Sequence, residues 1–156
     1  MDIRVERVLA PTPEVQLLVA ELDRTLAALY AAEQRHGLSL AELFEPNVRF
    51  FLSRLQGEAA GCGGLAFFDD HAEVKRMYTR APLRGRGVAK ALLQRLEAEA
   101  RAAGMPALRL ETGAHQLEAI GLYERSGFRR CAPFGRYAAM PAPAIELSLF
   151  YEKPMD

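Results

Sequence analysis

The stretch from Glu73 to Ala89, EVKRMYTRAPLRGRGVA, constrains the fold more than any other part of the chain. It begins as a strand over Glu73–Arg80, breaks at Pro82, and passes through Arg84-Gly85-Arg86-Gly87 into a helix. Val88, Leu92, Leu96 and Ala100 mark the buried stripe of that helix. Glu97, Glu99 and Arg101 fall on its water side, and Gly104 ends it. The first turn of a helix has backbone N–H groups without partners, and the helix dipole makes that end partly positive. Gly85 and Gly87 carry no Cβ to hold a phosphate off, while Arg84 and Arg86 supply charged donors beside it. The junction reads as a diphosphate cradle in an α/β fold. It is neither a Walker loop, since no Gly-Lys-Ser/Thr follows, nor a dinucleotide fingerprint, since the third glycine is missing.

The flanking sequence supplies a sheet and more helices. Ile3, Val5 and Val8 form a short strand, ended by Pro11 and Pro13. From Glu14 to Gln34 the residues Val15, Leu18, Leu22, Leu26, Leu29 and Tyr30 recur at helical spacing, with Gly37 as the stop. Ser39 and Glu42 have capping-box spacing and predict a second short helix over residues 39–44. Val48–Leu55 and Ala59–Phe68 read as strands joined by Gln56-Gly57-Glu58. A strand through Leu108 and Leu110, a helix over Leu117–Arg125 stopped by Gly127, and strands over Phe128–Cys131 and Ile145–Tyr151 complete the order. This is a single domain over residues 1–156 with a mixed sheet.

Composition narrows the class of protein. No apolar run approaches the ~20 residues of a membrane span, and the charged, alternating start is unlike a signal peptide. Cys62 and Cys131 cannot build a disulfide framework, and the 3 histidines show no metal-ligand spacing. The expectation is a soluble cytoplasmic protein with no metal and no membrane partner. Formal net charge is zero, but residues 1–73 hold 6 basic and 12 acidic side chains, against 14 basic and 8 acidic in residues 74–156. Between Lys75 and Arg95 there are 7 basic residues and no acid. An anion site and a solvated basic face both fit that run. With a pI near 6.8 and no wider basic surface, nucleic acid is not expected as a partner.

Arg84, Gly87 and Ala89 occupy the fixed places of an Arg/Gln-x-x-Gly-x-Gly/Ala signature, and LETGAHQLEAIGLYERSGF follows from Leu110 to Phe128. With both segments in this order, the chain resembles the GNAT family of N-acetyltransferases over essentially its whole length. The pattern is most similar to small bacterial members acting on small molecules. The resemblance implies a mostly antiparallel mixed sheet, flanked by helices, whose central strands splay to admit acetyl-CoA. It implies that Arg84, Gly85, Arg86, Gly87, Val88 and Ala89 bind the coenzyme A diphosphate. Met77, Tyr78 and Thr79 would pair main-chain groups with the pantetheine arm. Gln116 stands where many members have an asparagine that bonds the pantetheine. Tyr123 matches the tyrosine near the thioester sulfur, where it would protonate the leaving thiolate. Homodimers are common in the family and are carried here as an expectation.

The implied reaction moves an acetyl group directly from acetyl-CoA to a primary amine of a small molecule. An acceptor amine with a pKa near 10 must first lose a proton. Glu73, 11 residues before Arg84, leads as the base, with Glu111 and a water chain as competitors. Direct transfer makes Cys62 an inert buried thiol rather than a nucleophile. His71 and His115 read as surface loop residues. Phe134 and Tyr137 are expected as apolar walls at the acceptor mouth, where Arg136 reads either as a partner for an acceptor carboxylate or as a solvated loop charge. A non-catalytic acyl-CoA sensor and an enzyme acting on a protein amine are the alternatives.

Overall fold

The computed structural model describes residues 2–155. Among the described residues seven strands form one sheet in the order β1-β2-β3-β4-β5-β7-β6. They are β1 (Ile3–Val8), β2 (Val48–Leu55), β3 (Glu58–Phe67), β4 (Ala72–Thr79), β5 (Ala107–Gly113), β6 (Arg129–Arg130) and β7 (Ser148–Pro154). Every pairing is antiparallel except β4 with β5. The helices are α1 (Pro13–Leu29), α2 (Val88–Ala102), α3 (Leu117–Arg125) and a single turn, α4 (Ala142–Ile145).

Successive side chains of a strand point to opposite faces, and β2 is buried on both. Phe51 packs with Leu92 and Leu96 of α2, while Phe50 and Leu52 pack with Val15 and Leu18 of α1. The helices therefore sandwich the sheet, and the near-continuous apolar run of β2 reflects two covered faces. The β2–β3 hairpin turns on two residues, Gln56 and Gly57, both at positive φ. That is the primed geometry which matches strand twist. The stripe Val88, Leu92, Leu96 and Ala100 of α2 is at most 2% exposed, as the period requires.

Several boundaries differ from the sequence reading. Helix α1 begins at Pro13, capped by Thr12, whose Oγ1 accepts from the Val15 N–H at 3.3 Å. It ends at Leu29, because Tyr30 turns extended instead of carrying the helix on to Gln34. Ser39 and Glu42 do exchange hydrogen bonds, at 2.8 and 3.2 Å, but the capping box closes only a 3₁₀ turn at Glu42–Phe44. Ile145 belongs to α4, and the last strand starts at Ser148. Glu97 is buried: Lys153 of β7 reaches over to it and donates to its carboxylate at 3.0 Å. His71 is also buried, 2.7 Å from Asp70 and stacked on Phe68.

Candidate active site

Parallel pairing of β4 and β5 extends over three residues, Ala72–Val74 against Leu108–Leu110. Past that point the strands part, β4 following β3 and β5 following β7. At the parting β4 bulges: its register on β3 slips between Cys62 and Gly64, and Arg76 takes φ +56°. The gap opens into a cleft. One wall is Lys75, Arg76 and Met77, the other Glu111, Thr112 and Gly113. Gln116 and Tyr123 stand on the α3 side, while Tyr30 and the 34–37 segment close the α1 side.

The turn before α2 is exposed, with Gly85 at φ +77° and Gly87 at φ +86°. Gly87 is the N-cap in a left-handed conformation that costs an L side chain free energy. A Cβ there would meet nothing closer than Ile3 at 3.7 Å, so the demand is on backbone shape, and the space in front is open. The first backbone N–H of the helix to find a carbonyl on the preceding turn is that of Ala91, bonded to Gly87 at 3.0 Å. The run of 7 cations between Lys75 and Arg95 divides in the structure. Lys75, Arg76, Arg80 and Arg95 each pair with an acid: Glu73, Asp23, Glu21 and Glu99. Among the described residues Arg84, Arg86 and Lys90 have no carboxylate within 4.0 Å, and all three lie exposed around this turn. Free positive charge collects where the helix leaves its N–H groups free.

Tyr123 lines the cleft at 5% exposure, its ring edge-on to Phe128. Burial pushes its pKa well above the ordinary tyrosine value, so the phenol keeps its proton. Gln116 uses its amide oxygen locally, accepting from the Gly113 N–H at 3.0 Å, which leaves the NH₂ group to offer a ligand. Met77 faces the cleft and fills the space over Gly63; Tyr78 instead sends its hydroxyl to Glu21 at 3.0 Å, and Thr79 pairs with Gly61 of β3. Cys62 is fully buried, and burial raises its thiol pKa to about 12, which makes it a poor nucleophile.

A charged network lies behind the cleft. Glu73 is 4% exposed and does not line the cleft; its Oε2 accepts from Tyr137 at 2.6 Å and from Lys75 at 3.2 Å. Lys75 also donates to the His36 carbonyl at 3.0 Å. The carboxylate that faces the cleft is Glu111, held by the Ser148 hydroxyl at 2.7 Å. Its burial raises its pKa, a shift the Ser148 bond opposes. Phe134 and Tyr137 are not cleft walls: with Phe150 they form a separate buried cluster, 8% and 1% exposed. Arg136 caps that cluster from outside, 5.2 Å from the Tyr137 ring centre, and donates to the His36 carbonyl at 3.1 Å.

The sequence model of the acetyltransferase (GNAT) family matches residues 12–128. The chain belongs to the GNAT family. Its α/β sheet and its membership make this GNAT protein an acetyltransferase. It is 46% identical over 140 residues to an IAA acetyltransferase of Azospirillum brasilense, covering 88% of each chain. A candidate acyl-CoA N-acyltransferase structure from Klebsiella pneumoniae is 36% identical with TM-score 0.82, over 99% of this chain and 98% of that one. A GNAT acetyltransferase of Elizabethkingia anophelis with acetyl-CoA bound shares the fold at 18% identity and TM-score 0.71, over 98% of each. No described helix of the GNAT chain is long and apolar enough to cross a membrane.

The resemblance implies that residues 14–44 help to shape the acceptor pocket, but the contacts by which residues 30–37 build their part of this GNAT cleft are not visible in the sequence. Tyr30 accepts from the His115 N–H at 3.0 Å and stacks on the His115 ring. A Cβ on Gly113 would overlap the Tyr30 hydroxyl. The glycine of Leu110-Glu111-Thr112-Gly113 is thus a receptor for a tyrosine 83 residues earlier. Its position in the motif was visible; its partner was not.

Proposed function

We propose that the protein transfers an acetyl group from acetyl-CoA to a primary amine of a small molecule. The observation that carries this reading is the union of two features: the α2 N-terminus with Arg84, Arg86 and Lys90, which meet no carboxylate among the described residues, and the β4–β5 parting. The first suits a diphosphate held by residues 84–89, and the second suits an extended pantetheine arm paired with the freed edge of Met77–Thr79, with Gln116 alongside. The acetyl-CoA bound by the Elizabethkingia relative of the same fold supports the choice of donor. Closure of the α1 side by residues 30–37 favours a small acceptor over a protein surface.

The residues divide the chemistry as follows. Glu111 takes the proton from the amine, because it faces the cleft and its raised pKa lies closer to neutrality than an ordinary carboxylate's. Glu73, engaged by Lys75 and Tyr137, holds the wall in place behind it. Backbone N–H groups at the β4 bulge face the charge that develops on the thioester oxygen. Tyr123, protonated and facing the same space, gives its proton to the leaving thiolate.

The test is release of free thiol from acetyl-CoA against a panel of primary amines, in wild type and Tyr123→Phe. The variant keeps the ring but loses the proton, so kcat should drop by roughly 10²–10⁴ while CoA still binds. CoA binding without thiol release for any amine would mean a sensor. An unchanged kcat in Tyr123→Phe, measured where chemistry limits the rate, would remove the tyrosine from its role.

A further inference from the structure

The Arg76 side chain is 6% exposed, yet it lines the cleft. A guanidinium has five N–H donors, and burying it unsatisfied is costly. Among the described residues, one carboxylate engages it: Asp23, itself 54% exposed, at 2.6 Å from Nη2. Its Nε is buried with no hydrogen-bond partner among the described residues. This cation has been taken out of water and left short of acceptors.

Its placement is built into the fold. Arg76 occupies the β4 bulge at φ +56°, a strained conformation for a long side chain. Its guanidinium lies over Gly37, where a Cβ would come within 2.7 Å of Nη1. Arg35, two residues before that glycine, lines the same cleft, is exposed, and has no carboxylate within 4.0 Å among the described residues. Lys75 differs: Glu73, Tyr137 and the His36 carbonyl already take its three protons. The two arginines are therefore the cations with donors left to give. Glu111 faces them from the β5 wall, and Leu22 and Leu26 of α1 add an apolar surface.

We propose that the acceptor is an amine that also bears a carboxylate, such as an apolar amino acid, its carboxylate held by Arg76 and Arg35 and its amine delivered to Glu111. A planar carboxylate matches the arginine fork and supplies the acceptors that Arg76 lacks. The apolar side chain rests on Leu22 and Leu26. This deepens the acetyl-transfer reading and rests on it.

The experiment compares leucine with isoamylamine, and phenylalanine with phenethylamine, by thiol release in wild type, Arg76→Gln and Arg35→Ala. Wild type should favour each amino acid by about 10-fold or more in kcat/KM, chiefly through KM, as one charged hydrogen bond gives. The preference should collapse in Arg76→Gln and shrink in Arg35→Ala. Should Arg76→Gln fail to fold, the wild-type ratio and the exposed Arg35→Ala still decide. Equal use of the paired substrates by wild type overturns the inference and leaves acetyl transfer standing. Faster turnover of phosphoethanolamine than of leucine overturns the carboxylate. If no amine releases thiol, the transfer reading falls instead. Titration of N-acetylleucine into the CoA-loaded protein then tests the carboxylate site alone, and absence of binding refutes it.

Discussion

At the turn before α2 the proposed diphosphate donors belong to the backbone of six consecutive residues, 84–89, and the side chains of Arg84, Arg86 and Lys90 are exposed and free of carboxylates among the described residues. At the α1 end of the cleft the polar groups are side chains from distant segments: Tyr30 after α1, Arg76 on β4 and Glu111 on β5, backed from outside the cleft by Tyr137 before α4 and Ser148 on β7. Most are buried and paired. A site made of backbone depends on chain conformation and tolerates change in the side chains around it. A site made of buried side chains depends on single atoms, because each lost partner leaves a desolvated group behind. The two ends should therefore fail in opposite ways under mutation.

The largest expected failure is at Glu111. Glu111→Gln keeps the shape and the bond from Ser148 but cannot take a proton, so kcat should drop by roughly 10²–10⁴. Burial raises the pKa of this group above its ordinary 4.5, and the ionised form is the one that works as base. Wild-type kcat/KM should accordingly rise with pH through a midpoint above 4.5, and the variant should lose that limb. An unchanged kcat together with the same pH limb would move the base to Glu73 or to a water chain.

At the other end the sensitive atoms are those of the glycines. Gly87→Val forces a β-branched residue into φ +86° and sets two methyl groups where a diphosphate would lie. Calorimetric titration with CoA should show affinity lower by about 100-fold, equivalent to ~2.7 kcal/mol. Arg84→Ala, at the same turn, removes one exposed charge and should cost about 10-fold at most. If Arg84→Ala were the more damaging change, recognition there would be by side chains and the contrast between the two ends would vanish.

That contrast also explains what could be read from the sequence. The turn was legible because its parts are contiguous: Arg84, Gly87 and Ala89 carry their spacing with them, and Tyr123 follows in the second hallmark segment. The parting of β4 and β5 came with the family resemblance. The α1 end was not legible, because tertiary contacts override local pattern there. Helical spacing runs through Tyr30 to Gln34, yet the helix breaks at Leu29 so that the Tyr30 hydroxyl can sit against Gly113. Phe134 and Tyr137 looked like cleft walls, but they pack on Phe150 of a strand whose register nothing local reveals. Glu97 was placed in water by its helical phase, and Lys153 from β7 covers it.

A smaller effect probes the network by itself. Tyr137→Phe deletes the hydroxyl that donates to Glu73 at 2.6 Å and accepts from Lys75 at 3.0 Å. Two buried ionisable groups each lose a partner, and the fold should be destabilised by about 1–3 kcal/mol, read from the urea midpoint. CoA affinity should stay within about 3-fold, since the hydroxyl lies off the cleft. Wild-type stability in Tyr137→Phe would show that water replaces the hydroxyl, and the acceptor end would then be softer than the comparison requires.

The smallest effect is expected at Arg136, which the sequence leaves open between a carboxylate partner and a solvated loop charge. In the structure it is exposed, donates to the His36 carbonyl at 3.1 Å and lies over the Tyr137 ring, outside the cleft's lining. Its link to the site runs through the backbone of residues 34–37, which Lys75 also anchors through the same carbonyl. With one of two anchors gone, that segment should shift slightly rather than detach. Arg136→Ala should therefore raise KM for an amino-acid acceptor by about 3-fold or less, with kcat unchanged, as befits an exposed cation worth ~0.5 kcal/mol. A 10-fold or greater loss confined to carboxylate-bearing acceptors would place the anion reader at Arg136. It would also make the acceptor end, like the turn, a site read by exposed charge.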